Sequence, residues 1–297
     1  MSATPHIFTL TCNLLAERTL VFNSWTPGRT HRAISESFQV GGKGINVAKM
    51  LTRLQTPNTA LCFLGGAPGA ECDAWLRARS FSYHGFATSV PTRSGTVVRR
   101  RDGAHAETTF LGPDAAADAD AIQACTDFLD AQSAGQVLAL CGSVPAWAEA
   151  RFDPLRRAME RWLNRGTLVV DTYGPPLAWA AERNVGLIKI NANELESLGR
   201  WSSAVGSTNG ARRWIVSDGA ASLRVRDITG EEHTLLPPQV VEVSPTGSGD
   251  VLLACVLHAW IIRGQSLLDA VKFALPYAAA NAAHPGIAEF PDLPAPR

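Results

Sequence analysis

The chain reads as an α/β protein: a mainly parallel β-sheet with helices on both faces, and a small β-sheet lid laid over one edge. Three observations carry this expectation. Short apolar runs of strand type recur along the sequence, and helix-length amphipathic segments separate most of them. Strands that alternate with helices build a parallel sheet covered on both sides. Two stretches break that rhythm with short alternating pieces and turn signals, and these are the expected lid.

Taken in order, HIFTLTC (6–12), TALCFLGG (59–66), GQVLALCGS (135–143), GTLVVDT (166–172), GLIKIN (186–191) and RWIVSDG (213–219) are the expected strands of the main sheet. Ala119 to Ala131 and Pro154 to Asn164 have the apolar spacing of covering helices, and the Ala/Asp stretch from Asp114 to Ala121 reads as a helix start. The nearly unbroken apolar run from Val251 to Ile262 marks a helix buried on all sides, too short to span a bilayer. The lid pieces are Leu20 to Val40 and Arg93 to Phe110. The second carries Asp102-Gly103, a two-residue hairpin signal. We expect one domain over residues 1–297, its discontinuous lid formed by about 12–40 and 92–112; plain surface hairpins are the alternative.

Bulk properties exclude several classes. Lys+Arg and Asp+Glu balance at 27 each, which leaves no electrostatic footprint for nucleic acid or an anionic membrane. The six cysteines are scattered without a CxxC, and the seven histidines form no HExxH, so neither a disulfide framework nor a transition-metal site is expected. MSATPHIFTLTCNLLAERT lacks a basic n-region and a small-residue cleavage site, and a cytoplasmic protein acting on a small molecule is the expectation.

Three constellations carry chemistry. SPTGSGDV (244–251) runs straight into the apolar helix. Gly247 and Gly249, on either side of Ser248, expose backbone N–H groups at a helix N-terminus, an anion hole suited to a phosphoryl group in flight. Asp250 just inside that helix is expected to be held as a carboxylate by the same field and to accept a proton from an attacking hydroxyl. In GGKGINV, the amides of Gly41 and Gly42 can hold an anion or a hydroxyl, Lys43 adds a point charge, and Asn46 can fork two hydrogen bonds to a polyol. A tight strand–helix connection fits that turn equally well, and it is neither a P-loop nor a GxGxxG. In KINANEL (189–195), Asn191 and Glu194 share a face, a spacing that suits Mg²⁺ held by few protein ligands and also a plain helix cap.

Together and in this order, these pieces resemble the ribokinase-like, PfkB-type carbohydrate kinases, over nearly the whole chain. TLTCNLLAERT resembles a TLNPALDRT pattern; with Pro91-Thr92-Arg93, the segment Leu140 to Pro145 and Asp171-Thr172, it resembles the 1-phosphofructokinase and tagatose-6-phosphate kinase branch. The resemblance implies a ribokinase-like fold and ATP- and Mg²⁺-dependent phosphorylation of a ketohexose phosphate. It implies Asp250 as base and the amides around Ser248 as anion hole, with Asn191 and Glu194 organising Mg²⁺ through water. Lys189, Ser217, Gly219 and Asn281 would flank ATP. Glu17, Gly41, Gly42, Lys43, Asn46, Arg93 and Ser143 would face the sugar phosphate, with Arg32 reaching in from the lid, and the lids would pair in a homodimer. The chain departs from the pattern at Glu17, where Asp is expected, at Leu14 for Pro, at Gly95 for Asn, at Ile190 for Pro and at Ser222 for Gly. These changes touch the sugar side more than the catalytic turn. A kinase for an unphosphorylated sugar or nucleoside, and a non-catalytic nucleotide- or sugar-binding regulator, are the rival expectations.

Overall fold

A computed structural model describes residues 4–102, 107–198 and 213–293. The expected runs form β1 (Ile7–Thr11), β4 (Asn58–Leu64), β8 (Val137–Cys141), β9 (Thr167–Asp171), β10 (Leu187–Asn191) and β11 (Arg213–Asp218). They join β5 (Tyr83–Ala87), β12 (Ser222–Arg226) and β13 (Glu232–Leu235) in a nine-stranded sheet of order β13-β12-β11-β10-β9-β8-β1-β4-β5. Pairing is parallel except at β11–β12 and β12–β13. Winding switches at β1, which lies between β4 and β8. In open α/β sheets ligands bind beyond the strand carboxyl ends at such a switch.

Both faces are covered. On one, α1 (Lys43–Arg53), α7 (Ser248–Leu257) and α8 (Leu267–Ala282) pack against the sheet; on the other lie α3 (Ala119–Asp130), α4 (Asp153–Leu163) and α5 (Pro175–Ala181). From Asp250 to Leu257 every residue of α7 is buried, and the helix continues into a π-helical turn, His258–Ile262. A helix apolar all round is one sandwiched in a core. α3 starts at Ala119 on the cap of Asp118, whose side chain accepts from the Ala121 amide; the stretch from Asp114 onward is therefore a loop leading to the helix rather than its start.

The lid is a four-stranded sheet, β3-β2-β6-β7, made by β2 (Leu15–Phe22), β3 (Ser35–Gly41), β6 (Arg93–Arg100) and β7 (Glu107–Leu111). One face leans on α2 (Gly66–Ala78), where Arg18 pairs with Glu71. The expected two-residue turn at Asp102-Gly103 reaches into residues 103–106, which lie outside the described segments; the last described pair before it is Arg99 with Glu107.

Candidate active site

A cavity of about 620 Å³ opens between the strand ends and the lid. Glu17 and Gln39 hang over it from the lid, the GGKGIN turn and the 244–251 turn form its floor, and Asn191, Ser217 and Gly219 border its far side. Gly247 takes the left-handed conformation (φ 76°) as the N-cap of α7, and a Cβ there would meet Ile287 Cγ2 at 2.6 Å. The amides of Ser248 and Asp250 turn inward to Pro245 O and Gly247 O (3.2 and 3.0 Å). Those of Gly247 and Gly249 donate to no described residue, so they remain for an anion, while the Lys189 ammonium lies where a Cβ on Gly249 would meet Nζ at 2.7 Å.

Five charged side chains share this floor. Asp171, at the end of β9 and 1% exposed, accepts from Lys43 Nζ and from Lys189 Nζ, each at 2.7 Å. Burial opposes its charge, but the two ammonium groups outweigh that and hold its carboxyl below the usual range. Lys43 also reaches Glu194 Oε1 at 3.2 Å; burial works against its charge too, and the carboxylates of Asp171 and Glu194 prevail and raise its pKa. Lys43 is thus committed to carboxylates on the cavity floor rather than standing free as an open phosphate contact. Asp250 is 5% exposed, and Asn46 Nδ2 donates to its Oδ2 at 2.7 Å.

The helix field expected to hold Asp250 as a carboxylate works against opposing effects. Burial, then the nearby Asp171 carboxylate, push its pKa up to about 6 from an ordinary 3.8, with Lys189, Lys43 and Asn46 opposing. A carboxylate so placed, oriented by an amide, is suited to take a proton near neutral pH. Asn46 spends its amide on this aspartate rather than forking both groups to a polyol.

On the far side, Asn191 and Glu194 form a reciprocal capping box on α6 (Ala192–Ser197): Asn191 Oδ1 accepts from the Glu194 amide at 2.8 Å, and Glu194 Oε2 from the Asn191 amide at 2.9 Å. The plain helix cap is therefore present. Among the described residues no three His, Cys, Asp or Glu side chains converge as a ready-made metal site. The donor set fits a magnesium ion that arrives with phosphates and keeps most of its waters, because carboxylate oxygens engaged in a cap retain further lone pairs for a water. Asn281 does not face the cavity. Its buried carboxamide donates to Thr246 O and Ser248 Oγ (3.0 and 3.1 Å) and accepts from the Ala288 amide at 2.8 Å, so it braces the 244–251 turn.

The sugar-side residues divide in two. Glu17 lines the cavity; Gln39 Nε2 donates to its Oε1, and burial raises its pKa while Gln39 pulls it down. Gly41 and Gly42 line it as well. Arg93, Ser143 and Arg32 are not in its wall. Arg93 donates to Asp114 Oδ1 at 3.0 Å and to Asn13 O at 3.4 Å, leaving its buried Nε without a partner. Asn13 Nδ2 donates both to the same Asp114 oxygen and to Ser143 Oγ, each at 2.8 Å. Arg32 stays on the exposed loop before β3. Sequence reasoning missed Gln39, Asn13 and Asp114, and neither the GTLVVDT run nor the Asp171-Thr172 pair signals that Asp171 joins the two lysines.

The carbohydrate kinase family described as pfkB matches residues 11–295. A 1-phosphofructokinase of Borreliella burgdorferi is 28% identical over 303 residues, covering 97% of this chain and 95% of the relative. Among solved structures, phosphofructokinase-2 from Escherichia coli in complex with potassium superposes with a TM-score of 0.85 at 22% identity, covering 96% of this chain and 94% of that one. A ribokinase from Thermotoga maritima does so with a TM-score of 0.73 at 19% identity, covering 97% and 96%. The fold is ribokinase-like, and with the family match spanning nearly its whole length the chain belongs to the pfkB family of carbohydrate kinases.

Proposed function

We propose that the chain transfers the γ-phosphoryl group of ATP to a hydroxyl of a ketohexose phosphate, a fructose or tagatose phosphate. The observation that carries this reading is the convergence of Asp250, the free Gly247 and Gly249 amides and the Lys189 ammonium at one point of a single cavity. Asp250 accepts the hydroxyl proton as that oxygen bonds to the γ-phosphorus, and the bond from phosphorus to the bridging oxygen breaks to leave ADP. The two amides and Lys189 meet the charge on the equatorial oxygens, donors fixed in place before reaction. The slot of Leu223, Leu275, Ala278 and Ile287 suits an adenine ring, with Ser217 and Gly219 at its edge. Asn191 and Glu194 would hold Mg²⁺ through water, and the ion would supply charge neutralisation for the phosphates. Glu17 accepts hydrogen bonds from sugar hydroxyls.

Release of ADP against a panel of sugars and sugar phosphates tests this. The largest kcat/KM should fall on a phosphorylated ketohexose, and a neutral sugar or nucleoside turned over faster than all of them would replace the reading. That second reading draws on one observation, the Asp114 carboxylate seated on Arg93. A regulator without catalysis has no use for a poised base, and ADP release with any acceptor dismisses it. The lid is proposed to pair with a second copy: β7 is an edge strand with Phe110 and Leu111 each 55% exposed, the kind of edge that another strand covers. A monomer by light scattering at micromolar concentration would remove that proposal.

A further inference from the structure

Four registers along the lid from Glu17, on the same sheet face, Arg99 and Glu107 stand opposite each other and pair through Nε and Oε2 at 2.9 Å. Neither ends there. Glu107 Oε1 accepts from the Thr246 hydroxyl at 3.2 Å, and Arg99 Nη2 donates to Pro285 O at 2.8 Å. Thr246 belongs to the catalytic turn and Pro285 to the C-terminal loop beside it. Asn281 ties those two segments together, through Thr246 O, Ser248 Oγ and the Ala288 amide. Ile287 from the same loop packs against Gly247, where no Cβ fits. Glu107 therefore closes a ring that runs from the lid through Thr246 and Asn281 to the C-terminal loop and back through Arg99.

We infer that Glu107 is a positioning residue for phosphoryl transfer: it fixes the anion-hole turn through Thr246 only while the lid lies over the cavity. This rests on the proposed kinase reading but needs no particular sugar. When the lid lifts, Thr246 loses its hydroxyl partner and Pro285 its guanidinium, and the turn that bears the Gly247 and Gly249 amides keeps only its braces from the chain around it, Asn281, Ile287 and the Val243 and Ser244 amides on Ala282 O. Transfer is thereby confined to the state in which the lid also excludes water, the competing acceptor. Behind burial, which raises the Glu17 pKa, and the Gln39 amide, which lowers it, the Glu107 charge adds a smaller rise and that of Arg99 a smaller fall.

The test uses the full-length protein with Glu107→Ala, Glu107→Gln and Arg99→Ala. In hydrogen exchange without ligands, Glu107→Ala should speed exchange of the 244–251 amides several-fold while β8 and β9 keep wild-type protection. On the best acceptor of the panel, kcat should fall by on the order of 10–100-fold with an unchanged KM for ATP. Sugar phosphate formed per ADP released should drop below wild type. Glu107→Gln, which keeps an oxygen for Thr246, should recover part of kcat. In a double-mutant cycle, Thr246→Val should cost much less in the Glu107→Ala background than in wild type. Wild-type exchange at 244–251, or an additive cycle with an unaltered product-to-ADP ratio, overturns the inference. Failure of the sugar reading shows separately, as a wild-type protein whose ADP release no acceptor increases.

Discussion

Replacing Asp250 by Asn should remove turnover and at the same time make the fold more stable at neutral pH. The cavity floor holds two ammonium groups, on Lys43 and Lys189, and three carboxyl groups, on Asp171, Glu194 and Asp250. Burial of the Asp250 carboxyl, and then the neighbouring Asp171 carboxylate, outweigh the two ammonium groups and the Asn46 amide, which is why its pKa stands at about 6 rather than 3.8. The sign comes from proton binding. Between these values the folded state holds a proton that the unfolded chain has released, so stability is fully present below about pH 4 and falls as pH rises through about 6. At 1.36 kcal/mol per pH unit the loss above pH 6 is on the order of 3 kcal/mol. Asn carries no charge to desolvate and keeps an oxygen for the Asn46 amide. Urea unfolding at pH 4 and pH 7.5 should therefore give nearly equal stabilities for the two proteins at the lower pH and a gain of about 3 kcal/mol for Asp250→Asn at the higher. Turnover should fall by on the order of 10²–10⁴. In wild type, the acid limb of kcat should lie near pH 6. A variant no more stable than wild type at pH 7.5, or one that keeps most of kcat, would refute the electrostatic account of the site.

Three further substitutions test the anion-hole turn and the lid. Gly249→Ala puts a Cβ 2.7 Å from Lys189 Nζ, an ammonium already fixed by Asp171, so kcat should fall by on the order of 10²-fold with little change in melting temperature. Gly95→Asn restores the residue of the family pattern where a Cβ would meet Leu15 Cδ1 at 2.9 Å and Leu111 Cδ2 at 3.1 Å; chemical denaturation should show a loss of about 1–3 kcal/mol. Arg93→Ala should raise KM for the phosphorylated acceptor by an equivalent of roughly 1.5–3 kcal/mol while KM for ATP holds, and an unmoved acceptor KM would favour a neutral substrate.

The main sheet was legible because strands buried on both faces read as continuous apolar runs, as TLVVD and VLALC do. β5 escaped because only Phe86 of YHGFA is buried, and β12 and β13 because these antiparallel strands at one end of the sheet mix exposed polar residues into short segments. Glycine turns and the aspartate after them were legible as local patterns. What joins them was not. Lys43 meets Asp171 across 128 residues of sequence, and Asn46 meets Asp250 across 204, so neither contact leaves a local signature. Asn281 shows the limit most plainly: its position was identified, but the direction of its carboxamide, toward Thr246 and Ser248, is a property of the packed helix pair.

The two departures in the lid explain each other and lead to a last prediction. Glu17 lies in register with Gln39 on one neighbouring strand and Gly95 on the other. The family pattern sets an Asn at position 95, beside a shorter carboxylate. Here Leu15 and Leu111 fill the space that a side chain at 95 would need, and the amide that steadies the carboxylate comes from Gln39 instead. The amide that meets the cavity carboxylate here comes from β3, and Glu17 is long enough to reach it. Gln39 then does two things: it aims Glu17, and as a donor to the ionised form it restrains the rise in pKa that burial causes. Gln39→Ala should therefore raise KM for the acceptor and leave KM for ATP alone. It should also shift the acid limb of kcat/KM for the acceptor to higher pH, because Glu17 without its donor protonates more readily. The wild-type pH profile retained in Gln39→Ala would mean that the amide is packing only, and that Glu17 is aimed by something else.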